Sequence, residues 1–319
     1  MFNIQKCAVI GCGYVGATTA FSLMQSGLFS EMVLLDINQK KAEGEAMDLT
    51  HGLPFLSPMQ IYAGDYSDLH DAALIIITAG ANQKPGETRT ALVHRNAEIF
   101  RSIVSQIVRY TRDAILLVVS NPVDVLTYVT LKMSGYPAGR VIGSGTVLDT
   151  ARLKNLVGRQ LGVDSRNVHT FIIGEHGDSE LAVWSSANVS GIDLRHFCDI
   201  CATCPGQMNN LQAAFSEVRD SAYRIIEAKG ATYYAIAMAV TRIAASIVRD
   251  EDSVLPVSTL VDGHYGLSDV CLGLPAIVGR EGVREVLEIP LDATEEAQLR
   301  ASAETMKSVI AEAGVFEAV

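Results

Sequence analysis

His176 stands in FIIGEHGDSE, Phe171 to Glu180, next to Glu175 and two positions before Asp178. Histidine is the commonest side chain for exchanging a proton near neutral pH, and the partner of its second ring nitrogen sets its direction. Alone, this one reads more readily as structural. Asp149, in GTVLDTARLK, is a carboxylate suited to fix its tautomer and to stabilise an imidazolium. Arg152 follows three residues later on a predicted helix, so the two share a face near its start. Read in isolation, that pair is first of all a structural salt bridge. A chain of net charge −11 that holds a small anion nevertheless needs a positioned guanidinium, which grips a carboxylate through two parallel hydrogen bonds.

Two further segments could complete such chemistry. AGANQKPGETR carries Gln83 and Arg89 with Pro85 and Gly86 between them, the form of a hinged lid whose closure brings Arg89 onto a reacting carbonyl and excludes water. The plainer alternative is a solvated surface loop. In VVSNPVDVL, Asn121 ends a buried run, where its amide can donate to a substrate oxygen or simply cap the next helix. No G-x-S-x-G or H-E-x-x-H motif is present, so neither hydrolysis nor a metal centre is indicated. Cys201 and Cys204 form a lone C-x-x-C with no second pair to complete a zinc site, and read as incidental thiols.

A cofactor is suggested upstream. VIGCGYVGATTAF places Gly11, Gly13 and Gly16 as G-x-G-x-x-G between a strand and a helix, where a pyrophosphate can meet the helix N-terminus. Asp36 ends the next strand, 20 residues after Gly16, where a carboxylate accepts from ribose hydroxyls and repels a 2′-phosphate. The combination favours NAD over NADP. Tyr14 and Val15 within the turn, Thr78, Ala79 and Gly80 at the end of LIIITAG, and Asn121 complete the expected cofactor-binding set.

The elements that must position these residues follow from the apolar runs. CAVIG, MVLLD, LIIITAG, AILLVVS and RVIGSG alternate with helical patterns, and four are apolar throughout, as in strands covered on both faces. They predict an α/β fold with a Rossmann doubly wound parallel sheet over residues 1–143. A mixed α+β catalytic domain over 144–319 follows: strands in VHTFIIGEHG and LAVWSSANVSG, two long helices meeting at Lys229 and Gly230, a β-rich stretch from Val257 to Ile289, and a last helix capped by Asp292 or Thr294. With 49% hydrophobic residues in 319, the chain is globular. Its negative charge argues against nucleic acid and anionic membranes, and no apolar run approaches the ~20 residues of a membrane span. MFNIQKCAVIG lacks a signal-peptide layout, so the expected location is cytoplasmic.

Taken in order, NQKPGETR, SNPVD, GTVLDTAR, IIGEHGDS and KGATYYAIA resemble the lactate/malate dehydrogenase family, and the likeness runs through essentially the whole chain. It is to the lactate-specific, bacterial type of member. The resemblance implies that His176 exchanges a proton with the 2-oxo group as hydride arrives from the nicotinamide, while Asp149 orients it. It likewise implies that Arg89 polarises the carbonyl, Arg152 grips the substrate carboxylate, Asn121 contacts the substrate oxygen and Thr232 sits beside the third carbon. Malate-specific members carry arginine where this chain has Gln83. A second substrate carboxylate would then lack a cation here, which favours a methyl-bearing substrate such as pyruvate. Many bacterial members are homotetramers activated by fructose 1,6-bisphosphate through an arginine and a histidine at a subunit interface. The matching residues are Lys154 and His169, and lysine lacks the bidentate fork, so weakened activation is expected.

Other readings stay open at this level: a dehydrogenase for branched-chain 2-hydroxy acids or malate, or a non-catalytic NAD-binding protein. YVTLK, Tyr128 to Lys132, matches the Y-x-x-x-K of short-chain dehydrogenases, but the glycine turn has the wrong form and a structural role on the helix is expected.

Overall fold

The structure, a computed structural model, describes residues 3–81, 86, 88–201 and 211–314, and for Arg89 and residues 211–214 the backbone alone. Six parallel strands form its centre: β1 (Asn3–Ile10), β2 (Glu31–Leu35), β3 (Gln60–Ala63), β4 (Ala72–Ile77), β5 (Ile115–Val118) and β6 (Val141–Gly143), in the order 3-2-1-4-5-6. Helices α1 (Tyr14–Ser26), α2 (Gln39–Gly52), α3 (Arg89–Tyr110) and α4 (Val123–Ser134) connect them. The order reverses between β1 and β4, which opens a crevice at their carboxyl ends.

The continuous apolar runs are explained by burial on two faces. Successive strand residues point to opposite sides, so Ala8, Ile10, Ile75, Ile77, Leu116 and Val118 join one core while Cys7, Val9, Leu74, Ile76, Ile115 and Leu117 join the other. Each large side chain buried this way contributes about 1.5–3 kcal/mol. β3 was not legible in the sequence, because only Ile61 of its QIYA is buried.

After α5 (Val147–Leu161) come the short β7 (Val168–His169), β8 (Ile172–Ile173), β9 (Leu181–Ala182), β10 (Asn188–Val189) and β11 (Ile192–Asp193). Then follow α6 (Leu194–Ile200), α7 (Leu211–Lys229), α8 (Tyr234–Arg249), β12 (Ser253–Asp262), β13 (Ser268–Gly279), β14 (Gly282–Val286) and α9 (Ala293–Glu312). The strands expected in VHTFIIGEHG and LAVWSSANVSG are therefore broken into two-residue pieces. Side chains take over the backbone bonds there. The Ile172 carbonyl accepts from Thr146 Oγ1 at 2.6 Å, and its N–H donates to Thr150 Oγ1 at 2.9 Å.

β12, β13 and β14 continue the first sheet antiparallel from β6, giving nine strands, with Ser258 opposite Gly143. The β-rich stretch of the second half thus extends the sheet of the first, which the sequence did not indicate. A Cβ on Gly143 would lie 2.8 Å from the Ser258 Cβ and 2.3 Å from Thr127 Oγ1, so the seam closes only over glycine. Asp292 caps α9 by accepting from the N–H groups of Thr294 and Glu295, and Leu299 and Met306 on its inner stripe are buried. Among the described residues, no helix is long and apolar enough to cross a membrane.

Candidate active site

The glycine turn joins β1 to α1 at the crevice. Gly11 has φ 101°, and a Cβ there would meet the Ala79 backbone nitrogen at 2.6 Å; one on Gly16 would lie 1.8 Å from the Gly11 carbonyl oxygen. These two glycines let the turn press against the end of β4, where Thr78 Oγ1 donates to the same Gly11 carbonyl at 2.7 Å. Gly13 differs. A Cβ there would meet nothing within 4 Å, so its backbone faces open space at the start of α1. Asp36 is pre-oriented, since Cys12 N–H donates to its Oδ2 at 2.7 Å and Asn38 N–H to its Oδ1 at 2.9 Å. A bare helix start beside a fixed carboxylate suits a dinucleotide with free ribose hydroxyls, so the residues present fit NAD. Val15 packs into the core behind the turn, and the exposed Tyr14 stacks on Tyr233 with ring centroids 5.5 Å apart.

The candidate proton-exchanging group is assembled from two segments, α5 and the loop after β8. His176 Nδ1 lies 2.6 Å from Asp149 Oδ2, and Arg152 Nη1 donates to Asp149 Oδ1 at 2.9 Å. Asp149 lies in the buried first turn of α5, so one carboxylate serves both partners. Burial works against charge on the imidazole, but Asp149, reinforced by Asp124 and Glu180, outweighs it and pushes His176 up to about 9. Burial likewise resists charge on Asp149, but His176 and Arg152 hold its carboxyl below the usual range. The neutral ring thus carries its proton on Nδ1, facing Asp149, and leaves Nε2 to exchange with a substrate.

Several expected residues are placed with less detail. Asn121 is exposed at the end of β5, and its carbonyl accepts from Asn96 Nδ2 at 3.0 Å. Gly80 lies beside Ser120, whose hydroxyl donates to the Ala79 carbonyl at 2.7 Å. Thr232 is half-buried in the link before α8, next to the Tyr233 that stacks on Tyr14. Lys154 lies on α5, half-buried, with its amine pKa lowered by burial; His169 is exposed on β7, which packs against α5. Gln83, the side chain of Arg89 and Cys204 lie outside the described residues. Tyr128 and Lys132 both bond Asp269 Oδ1, at 2.9 and 2.7 Å, the structural role expected of that pair.

Five supporting residues were missed by the sequence reading. Asp124, buried in the first turn of α4, accepts from the His176 N–H at 2.7 Å and from Ser258 Oγ at 2.6 Å. It thereby fixes the histidine backbone at the ligand-binding edge of the sheet. Burial pushes its carboxyl up to about 6, against the pull of those two donors. Asn96, buried on α3, accepts from Ala81 N–H at 2.8 Å while donating to Asn121, so the ends of β4 and β5 are sewn together. Thr146 and Thr150 flank Asp149 and hold Ile172, four residues before His176. Glu175, unassigned from sequence, is buried and accepts from the Ser179 hydroxyl, which closes the loop around His176. A polar residue inside an otherwise apolar helical stretch, as Asp124 is in VDVL, was the available signal.

A doubly wound sheet with a bare glycine at its reversal point, joined to an imidazole primed by a buried carboxylate, is the arrangement of an NAD-dependent dehydrogenase. Residues 5–143 match the lactate/malate dehydrogenase NAD binding domain, and residues 146–317 match the alpha/beta C-terminal domain of the same proteins. The chain belongs to the lactate/malate dehydrogenase family. It is 56% identical over 307 residues to the L-lactate dehydrogenase of Acetivibrio thermocellus, covering 96% of each chain. The L-lactate dehydrogenase of Thermoanaerobacter pseudethanolicus is 53% identical over 310 residues, 97% of this chain and 99% of its own. Among solved structures, a lactate dehydrogenase from a Medee basin deep-sea metagenome library superposes with TM-score 0.95 at 47% identity, over 98% of this chain and 100% of its own. The minor L-lactate dehydrogenase of Enterococcus mundtii, in a ligand-bound form, gives 0.93 at 42%, over 96% and 98%.

Proposed function

We propose that the protein is an NAD-dependent L-lactate dehydrogenase that interconverts pyruvate and (S)-lactate, the last step of lactate fermentation. The observation that carries this reading is the buried Asp149 shared between His176 and Arg152. NAD, bound along Gly11, Gly13, Gly16, Asp36, Thr78 to Gly80 and Asn121, supplies or accepts the hydride. His176 Nε2 donates a proton to the carbonyl oxygen of the 2-oxo acid, and Asp149 stabilises the imidazole in both charge states. Arg152 releases part of its hold on Asp149 to grip the substrate carboxylate. Arg89 polarises the carbonyl, Asn121 donates to the same oxygen, and Thr232 packs beside the methyl group. In the reverse direction the neutral ring removes the hydroxyl proton of lactate.

Residues 1–143 serve as the NAD-binding unit and 144–319 as the substrate-binding and catalytic unit. Gln83 offers no cation to a second carboxylate, which supports pyruvate over oxaloacetate. Exposed Phe21, Met47, Tyr234 and Met238 on α1, α2 and α8 support assembly, which we read as a homotetramer in the cytoplasm. Lys154 and His169 would take fructose 1,6-bisphosphate, weakly because a lysine replaces a bidentate guanidinium. The test is NADH consumption with pyruvate, oxaloacetate and a branched 2-oxo acid, with and without the sugar bisphosphate. A higher kcat/KM for oxaloacetate than for pyruvate would refute the assignment.

A further inference from the structure

Glu180 stands immediately before β9, at the end of the loop that carries His176. The residue is 8% exposed, and its Oε1 is sealed from solvent without a hydrogen-bond partner among the described residues. One atom each of Asp149, His176 and Glu180 lie within 4.8 Å of one another. The charged groups bearing on it are Asp149 and Arg152 from α5, His176 from its own loop and Arg219 from α7. Two carboxylates so close, away from water, do not both ionise without a large cost. Asp149 has both His176 and Arg152 on its oxygens and keeps its charge. Among the described residues Glu180 has no such pair, which favours the proton there.

We propose, resting on the function assigned above, that Glu180 is a positioning residue that sets the charge of the substrate pocket. As a neutral acid it lets an anionic 2-oxo acid reach Arg152; as a carboxylate it opposes that approach. With Glu180 neutral, Asp149, protonated His176 and Arg152 sum to a single positive charge, the complement of a monoanion. With Glu180 ionised these four groups sum to zero, and the pull on the anion is weakened. Burial and then Asp149 push its titration up to about 8, against His176, Arg152 and Arg219. Glu180 and His176 thus titrate on the same alkaline side, as interacting groups.

The experiment is kcat and KM for pyruvate with NADH from about pH 6 to 10 in the wild type and in Glu180→Gln. The wild type should lose on the order of tenfold in kcat/KM near pH 8, carried by KM, with a second loss as His176 deprotonates. The glutamine amide cannot ionise, so the variant should show the His176 step alone. Infrared difference spectra between the two proteins should show a protonated carboxyl at neutral pH that vanishes above about pH 8. A single-step wild-type profile, matching profiles in both proteins, or an ionised Glu180 at neutral pH overturns the proposal. The wild-type profile decides the matter even if the variant does not fold. Absence of NADH consumption with pyruvate in the wild type would instead overturn the assigned reaction, and the infrared band would still decide the state of Glu180.

Discussion

Asp149 bonds His176 Nδ1 through one oxygen, at 2.6 Å, and Arg152 Nη1 through the other, at 2.9 Å. The groups proposed for proton exchange and anion binding are therefore anchored on one buried carboxylate. Asp149→Asn keeps the shape but loses the charge. We expect kcat to fall by about 10²–10⁴-fold. The imidazole should also drop from about 9 toward its ordinary ~6.5. Reduction needs the protonated ring, so the alkaline limb of its kcat/KM profile should move to lower pH. Oxidation needs the neutral ring, so its acid limb should move the same way. Stopped-flow profiles in both directions check the shift, and unchanged limbs would remove Asp149 from its role.

Asp124 should behave as a structural support with a catalytic consequence. Asp124→Ala strands the His176 N–H and the Ser258 hydroxyl, which costs about 1–3 kcal/mol for each buried group left unpaired. We expect a lower midpoint in denaturant together with reduced kcat. Ser258→Ala removes a single bond to that carboxylate and should cost about 1.5–3 kcal/mol. Equal stability of all three proteins would contradict this.

The glycines of the turn should separate by role. Gly16→Ala forces a Cβ onto the Gly11 carbonyl, 1.8 Å away, and should destabilise the fold. Gly13→Ala meets nothing within 4 Å, so Tm should hold while NADH binding weakens as the methyl group occupies the ligand's space. Calorimetry alongside NADH fluorescence titration distinguishes the two, and a large loss of Tm in Gly13→Ala would disprove the assignment.

Gln83→Arg supplies the cation that a dicarboxylate requires. The kcat/KM ratio of oxaloacetate to pyruvate should rise by on the order of a hundredfold, the scale of one buried charge-assisted pair. An unchanged ratio would show that Gln83 does not face the substrate.

The glycine turn and its acid were legible from local pattern, whereas Asp149, Arg152 and His176 each read alone as structural and took their expected roles from the ordered resemblance. The glycine turn needs its spacing, Asp36 its strand end, and Asp149 and Arg152 their shared helical face. Their supports were not legible, because they are contacts across long stretches of chain. Asp124 lies 52 residues from His176 and 134 from Ser258, and nothing in SNPVD or PVSTL announces that they meet. β12 likewise reads as a strand, yet only Gly143 opposite Ser258 shows which sheet it joins. β7 to β11 fall in segments expected as strands but are far shorter, and at β8 the hydroxyls of Thr146 and Thr150 bond Ile172 backbone that a ladder would otherwise hold.

The seam between β6 and β12 has a consequence for how the two halves can be recombined. Exchanging residues 1–143 for those of another family member would set a foreign residue 143 against the native Ser258, and a foreign residue 124 beneath a histidine it did not evolve with. The halves are not interchangeable cassettes. A working chimaera must carry Asp124, Gly143, Ser258 and His176 together, as one inheritance unit scattered over the chain.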